Sequence, residues 1–306
     1  LAEREKHPAW GARKLHEVLR SRGVKIPAVS TVHAILLRHG RVDPGESAKH
    51  APWQRFERER PNSLWQMDFK GHVPLHRRSD GGGTRCHPLT ILDDHSRFAV
   101  ALRACANEQE PTVRGHLIDV FRRFGLPEAM LADNAPPWGT PMGELGHTKL
   151  SVWLLRLGVR VLHGRPCHPQ TQGKAERFHR TLKAELLSRT ELRSMNEAQD
   201  LFDLWRGTYN LKRPHQALGM RVPASCYQPS SRAYPETLPE PEYGPEDIIR
   251  SVNTDGMVSF RARKWYVSEA LIGQRVGLRA TTTDGVYRIC LGPHHIGTID
   301  QRDGSS

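Results

Sequence analysis

Residues Gly164–Lys183 read GRPCHPQTQGKAERFHRTLK, and the two halves of this stretch follow different rules. Gly164, Pro166 and Pro169 punctuate the first half as a turn-rich loop that Gly173 closes. From Lys174 onward helix formers take over, with Phe178, Leu182, Leu186 and Leu187 recurring at helical spacing. Glu176, Arg180 and Lys183 fall at i, i+4 and i+7, so one helix face carries a carboxylate followed by two cations. A solvated helix shows the same face, since such pairs stabilise it by only ~0.2–0.5 kcal/mol each. Glu185, nine residues beyond Glu176, reads as a solvated side chain of this helix. What gives the face meaning is the arrangement of acids upstream.

Leu64–Phe69 is apolar and aromatic around Asp68, which reads as a strand with an acid inside it. Gly81–Gly83 marks a turn, and His87–Leu92 and Arg97–Leu102 read as two further strands joined at Asp94-His95-Ser96. Thr112–Phe124 is an amphipathic helix stopped by Gly125 and Pro127; Glu128–Ala132 is a short strand with Asp133 at its C-terminal end. Leu150–Leu157 reads as helix and Val159–Leu162 as strand, before the opening loop and helix. Antiparallel strands followed by alternating helix and strand predict a layered α/β domain. Asp68, Asp133 and Glu176 then sit on three elements, and unpaired buried carboxylates are costly. A pair of Mg²⁺ ions resolves that cost, because two-metal phosphoryl chemistry uses hard oxygen ligands. The adjacent Asp93 and Asp94 instead read as structural: neighbours on a strand face opposite ways, and Asp94 caps the turn.

Before this domain, Ala12, Leu15, Val18 and Leu19 repeat at helical spacing up to Gly23. Ser30 stands as an N-cap ahead of Val32, Ile35, Leu36 and Leu37. Two short basic helices, with Arg13 and Lys14 among their cations, suit a helix-turn-helix on DNA; a plain helical hairpin fits the same pattern. Asp43–Pro61 reads as a linker, with helical character at Trp53–Arg60. Beyond the central domain, Ala198–Asn210 is a helix covering the core, and Tyr209–Tyr227 is irregular. Ser230–Pro245, rich in Pro, Glu and Ser, reads as a second linker. Six β-rich runs from Ile249 to Ile299, with Thr-Asp-Gly turns at 254–256 and 283–285, predict a small β-barrel bearing Arg261, Arg263, Lys264, Arg275 and Arg279.

With 45 Lys+Arg against 33 Asp+Glu, the 306-residue chain carries a formal net charge of +12, which favours a polyanionic partner. Five scattered cysteines lack the spacing of a zinc module and read as reduced thiols of a cytoplasmic protein. No apolar run is long enough for a membrane span, so no membrane partner is expected. Position 1 is Leu inside an apparent helix, which suggests a piece of a longer protein.

WQMDFKG around Asp68, LADNAPPWG around Asp133 and HPQTQGKAERFHRTLK around Glu176 together resemble the DDE transposases of bacterial insertion sequences, which share the retroviral-integrase catalytic core. ILDDHSRF (Ile91–Phe98) and YNLKRPHQALGMRVP (Tyr209–Pro223) extend the resemblance to roughly residues 10–230. It implies an RNase H-like core, a mixed five-stranded sheet with helices, at 62–228. That core would be flanked by a helix-turn-helix at 1–42 and a β-barrel at 247–306, with linkers at 43–61 and 229–246. It also implies Asp68, Asp133 and Glu176 as catalytic and metal-binding acids, with two Mg²⁺ ions or Mn²⁺ in their place. Lys183 and Arg180 would face DNA phosphate, with Lys174, Arg177, Arg13 and Lys14 as further contacts. Pro169, Gln170 and Gly173 would belong to the loop that closes over the DNA end. The expected activity is cleavage of the element's terminal inverted repeats and joining of 3′-hydroxyls to target DNA, by a homo-oligomer at the bacterial nucleoid. A silent DNA-binding regulator and a cleavage-only nuclease are the competing readings. Two departures are visible: the separation of 43 positions from Asp133 to Glu176 exceeds the usual interval, and Ala135 stands where Gly is common. Neither removes an acid.

Overall fold

The computed structural model describes residues 1–42, 58–75, 85–140, 146–163 and 173–302. Residues 53–57 of the expected linker helix, the Gly81–Gly83 turn and the loop holding Pro169 and Gln170 lie outside the described residues. By contact the chain forms two units, Leu1–Asn107 with Arg165–Pro229, and Glu108–Gly164 with Ser230–Ser306.

The first unit begins with three short helices, α1 (Ala2–Lys6), α2 (Ala12–Ser21) and α3 (Val29–Arg38). The apolar stripe of α2 meets that of α3 through Leu15, Val18, Val32 and Leu36, with Trp10 closing the cluster. Gly23 adopts φ 75° after α2, where its N–H bonds the Arg20 carbonyl, as expected of a helix end. Ser30 is not the cap of α3: the helix starts at Val29, after Ala28, with no side-chain cap. Glu3 accepts two hydrogen bonds from Arg22 at 2.8 and 3.0 Å, fastening α1 to the end of α2. Arg22 thereby holds the Glu3 carboxyl below the usual range.

The strands of this unit are β1 (Trp65–Phe69), β2 (Val73–Pro74), β3 (Arg85–Asp93) and β4 (Ala99–Cys105). The central strand β3 pairs antiparallel with β1, β2 and β4; its register sets Asp68 opposite Thr90 and Thr90 opposite Leu102. The helices α6 (Gly173–Leu182) and α7 (Met195–Leu211) follow much later in the chain. They bury Phe178, Leu182, Phe202 and Trp205 against Leu92, Ala99 and Leu102. A strand edge left open invites foreign pairing. Here α7 closes β4: Asn210 pairs both backbone groups of Ala99, and Gln199 accepts from Ala104 N–H while donating to the Leu102 carbonyl.

In the second unit α4 (Glu110–Phe124), β5 (Ala129–Ala132), α5 (Lys149–Arg156) and β6 (Arg160–His163) continue the alternation. β5 and β6 are parallel, so the five expected core strands, with a short sixth in β2, are mixed in direction. A capping box between Thr148 and Ser151 starts α5. The β-rich tail comprises β7 (Ile248–Ser251), β8 (Met257–Phe260), β9 (Arg263–Tyr266), β10 (Arg275–Ala280), β11 (Val286–Leu291) and β12 (His294–Asp300). These form a four-stranded antiparallel sheet, β12-β11-β10-β7, and a separate β8-β9 hairpin. Val258, Phe260, Val276, Leu278, Ile289 and Ile296 share one core there, but the ladders among the described residues do not close into one barrel. Among the described residues, no helix is long and apolar enough to cross a membrane.

The segment read as a second linker is instead lashed down. Arg232 donates to the carbonyls of Pro127, Leu157 and Gly158 at 2.6, 3.1 and 2.8 Å. Leu126 N–H bonds the Arg232 carbonyl, and Tyr234 stacks on Phe121. Periodicity cannot reveal this, because an extended strap shows no repeat. Arg232→Ala strips three carbonyls of a charged donor and should lower unfolding free energy by about 2–3 kcal/mol, read by urea denaturation.

Candidate functional site

Asp68 lies on β1 with alternate residues on opposite faces, so it shares a face with Gln66. Gln66 is buried; its Nε2 donates to Asp94 Oδ1 at 2.8 Å and its Oε1 accepts the Ala175 N–H at 3.3 Å. That N–H is one of the first in α6 and has no partner within the helix, so Gln66 acts as a cap supplied from the strand. One turn further, His179 Nε2 stands 2.8 Å from Thr90 Oγ1, and Thr90 donates to the Asp68 carbonyl at 2.8 Å. Four helix residues rise about 6 Å and two strand residues about 6.7 Å, so these two tethers lay α6 along β1 nearly in step. Glu176, one residue past the first tether, is thereby fixed in the first turn beside the Asp68 strand. Its side chain is exposed, as are Arg177, Arg180 and Lys183.

The buried Asp94 carboxylate completes the anchor. It accepts from Arg58 N–H at 2.9 Å and Gln66, and Lys174 Nζ lies 2.6 Å from Oδ1. Asp93, also buried, accepts from Ser96 N–H, Ser96 Oγ and Asn62 N–H, while burial pushes its carboxyl up. Both acids are structural, as their place at the hairpin turn implied. Lys174 is therefore committed inside the fold, not turned toward a ligand.

Asp133 directly follows β5 in the second unit, half-exposed, and its Oδ1 accepts the Ala135 N–H at 3.1 Å. His163 Nδ1 is 2.9 Å from the Asp133 carbonyl. Ala135 shows no left-handed backbone, so the absence of Gly there causes no strain. Gln170 falls outside the described residues.

Beyond Leu182 the helix widens into a π-helical turn, Lys183–Leu187. Glu185 is not solvated: Arg213 Nε reaches it at 2.9 Å and Trp205 Nε1 at 3.2 Å. Those partners lie 20 and 28 residues away, outside what helix periodicity can report. Lys14 also departs from expectation. Burial, with Arg213 nearby, brings its ammonium down to about 8, whereas Arg13 remains exposed. Gln66, Thr90 and His179 were missed in the sequence; the only signal was His179 one turn after Glu176.

Among the described residues no three His, Cys, Asp or Glu side chains stand close enough to enclose a metal ion. The donors at hand still suit a hard divalent cation: a half-exposed carboxylate on β1 and an exposed one on α6. His179 is buried, and burial together with Lys70 drives its imidazole down to about 4.

Two models described as integrase core domain match residues 58–169 and 157–223, and the C-terminal domain of IS481 family transposases matches residues 247–306. An uncharacterized 39.2 kDa protein of insertion element IS476 from Xanthomonas euvesicatoria is 27% identical over 225 residues, 71% of this chain and 60% of that protein. An uncharacterized 31.7 kDa protein of IS407 from Burkholderia multivorans is 26% identical over 164 residues, 54% of each chain. The chain thus spans less than two thirds of the length of either relative. The catalytic core of BIV integrase aligns with a TM-score of 0.38 at 22% identity, covering 54% of this chain and 93% of that one.

Since folding lowers the proton affinity of His179, the unfolded chain takes up a proton first as pH falls. Stability contributed by the neutral ring is complete above pH 6.5 and lost toward pH 4, by about 3 kcal/mol. His215, driven down to about 2 by burial, adds in the same direction. Denaturant melts from pH 7 to 4.5 in chelator should show a steeper loss for wild type than for His179→Asn.

Proposed function

We propose, for a chain that resembles insertion-sequence transposases across an integrase core and an IS481-type C-terminal domain, that it cuts the ends of its element and joins their 3′-hydroxyls to target DNA. The observation that carries this reading is the tethering of the Glu176 helix along the Asp68 strand through Gln66 and Thr90. A merely solvated helix has no need of two buried polar tethers beside its acid, because each unmet buried group would cost about 1–3 kcal/mol.

Asp68, Asp133 and Glu176 are the proposed acids, the second assigned by resemblance, and they would hold Mg²⁺ or Mn²⁺. Two divalent cations, when bound, lower the pKa of the attacking water and offset charge on the leaving oxygen. The chain's own part is to orient the acids, keep α6 in place and grip the phosphate backbone. Lys183, Arg180 and Arg177 are exposed on or beside the acid-bearing face of that helix and fit the last task. The helices α2 and α3, with Arg13, and the β-rich tail are proposed DNA-binding modules. The charge of +12 supports a polyanionic partner, and joining two element ends calls for a homo-oligomer acting in the bacterial cytoplasm.

A labelled element end incubated with target DNA and Mg²⁺ tests the reaction. Wild type should give joined products, and Asp68→Asn or Glu176→Gln should reduce them by roughly a thousandfold or more while retaining DNA binding. Binding without cleavage in wild type would favour the regulator, and cleavage without joining the nuclease. Lys183→Ala should weaken binding evenly across sequences and reduce the salt slope of log K by about one, measured by fluorescence anisotropy.

A further inference from the structure

Three residues at the end of α7 and just beyond it fasten that helix to its neighbours. Tyr209 meets Phe178 of α6 edge-on, with ring centroids 4.9 Å apart, and Asn210 pairs Ala99 on β4. Arg213 Nε donates to Glu185 Oε1 at 2.9 Å, and Trp205 Nε1 donates to Oε2 of the same carboxylate at 3.2 Å. Only 10% of the Glu185 side chain and 9% of the Arg213 side chain are exposed, so the ion pair is buried. Buried ion pairs add little net stability over apolar residues of equal volume; their best-attested use is to set register. Glu185 sits in the middle of the π turn Lys183–Leu187, whose wide bond runs from Ser188 N–H to the Lys183 carbonyl at 2.9 Å. Arg189 Nε caps the Ala184 carbonyl in that turn at 2.8 Å. Single π turns within helices take up an extra residue and recur at functional sites.

Helical phase shows what this turn takes up. At about 100° per residue, seven steps from Glu176 bring Lys183 within about 20° of the acid, and eleven steps bring Leu187 equally close on the other side. An unbroken α-helix would therefore set Leu187 on the acid-bearing face. Leu187 instead packs with Leu186 against Phe178, Leu182 and Trp205. Upstream, the contacts of Ala175 with Gln66 and of His179 with Thr90 fix the phase of α6. The π turn absorbs the mismatch between these two anchored stretches, and the Glu185–Arg213 pair grips it from α7.

We propose that Arg213 is a positioning residue for the DNA reaction: through Glu185 it holds the π turn that keeps Leu187 off the acid-bearing face and leaves Lys183 there for a backbone phosphate. The inference rests on the proposed transposase reading and gives a role to a residue outside its acids and exposed cations. Were the turn to close into α-helix, either Leu187 would swing out beside Glu176, or the leucines would stay and the upstream face would rotate by about 100°. Each shift disrupts a face on which Glu176 and Lys183 stand together clear of apolar bulk.

Arg213→Met alone would strand a buried anion, so the test changes both partners, Glu185→Leu with Arg213→Met, a swap that leaves the fold intact when volume is kept. Binding of the full chain to a duplex carrying the element end is followed by fluorescence anisotropy against salt. The paired variant should keep the wild-type urea midpoint yet lower the salt slope of log K by about one, as Lys183→Ala does in the wild-type background. Adding Lys183→Ala to the paired variant should then change nothing further, because both substitutions remove the same contact. A wild-type slope in the paired variant, with Lys183→Ala still exerting its full effect there, overturns the positioning role. A second measurement needs no variant: hydrogen exchange of wild type with and without the duplex. The amides of residues 183–188 should exchange several-fold more slowly when DNA is bound. Unchanged exchange there, with DNA bound, overturns the inference and leaves the transposase reading standing. Failure of wild type to bind the duplex at all overturns that reading itself.

Discussion

A carboxylate shut away from water must be met by donors, and the way Asp94 is met fixes the geometry of the first unit. Its oxygens draw in a backbone N–H from Arg58, the Gln66 amide of β1 and the Lys174 ammonium at the start of α6. Removing any one leaves a buried anion short of partners, which is far more costly than losing an exposed pair. Three chain segments, 28, 36 and 80 residues from Asp94, are thus held at one point. The placement of Glu176 follows from this, since Lys174, Ala175 and Glu176 are consecutive and the first two are tied down.

The same logic sorts the many cations of the chain into two kinds. Lys174, Arg213 and Arg232 are turned inward, where they satisfy Asp94, Glu185 and the carbonyls of Pro127, Leu157 and Gly158. Lys14 is half-buried near Arg213 and loses proton affinity for that reason. Arg13, Arg177, Arg180 and Lys183 remain at the surface. A net charge of +12 therefore overstates the basic surface offered to a partner. Of these, Arg177, Arg180 and Lys183 lie along or just beyond α6, next to the acid that the helix carries.

Polar side chains do a second kind of work in this fold by replacing absent backbone partners. Asn210 and Gln199 pair the outer edge of β4 from a helix, and Gln66 caps a helix from a strand. Each answers an obligation created by secondary structure: edges and helix ends leave N–H and C=O groups that cannot stay bare when buried. Such residues are poor candidates for chemistry when seen in sequence, yet they decide where the proposed acids on β1 and α6 stand.

Periodicity and turn chemistry in the chain itself determined most of the elements. The strands around Asp68 and before Asp133, the hairpin at Asp94-His95-Ser96, the helix stopped at Gly125 and the acid-bearing face of α6 all depend on neighbours within a few residues. Local sterics and alternating burial act over that range, so these features were legible. The inward turn of Lys174 and Lys14, the burial of Glu185, the strap at Arg232, the unclosed ladders of the β-rich tail and the Thr90–His179 contact were not. Each depends on a partner tens of residues away, and no local pattern encodes which distant group will arrive. Only the tertiary structure could choose among them, because the cost of an unmet buried charge or lone pair is settled where the segments meet.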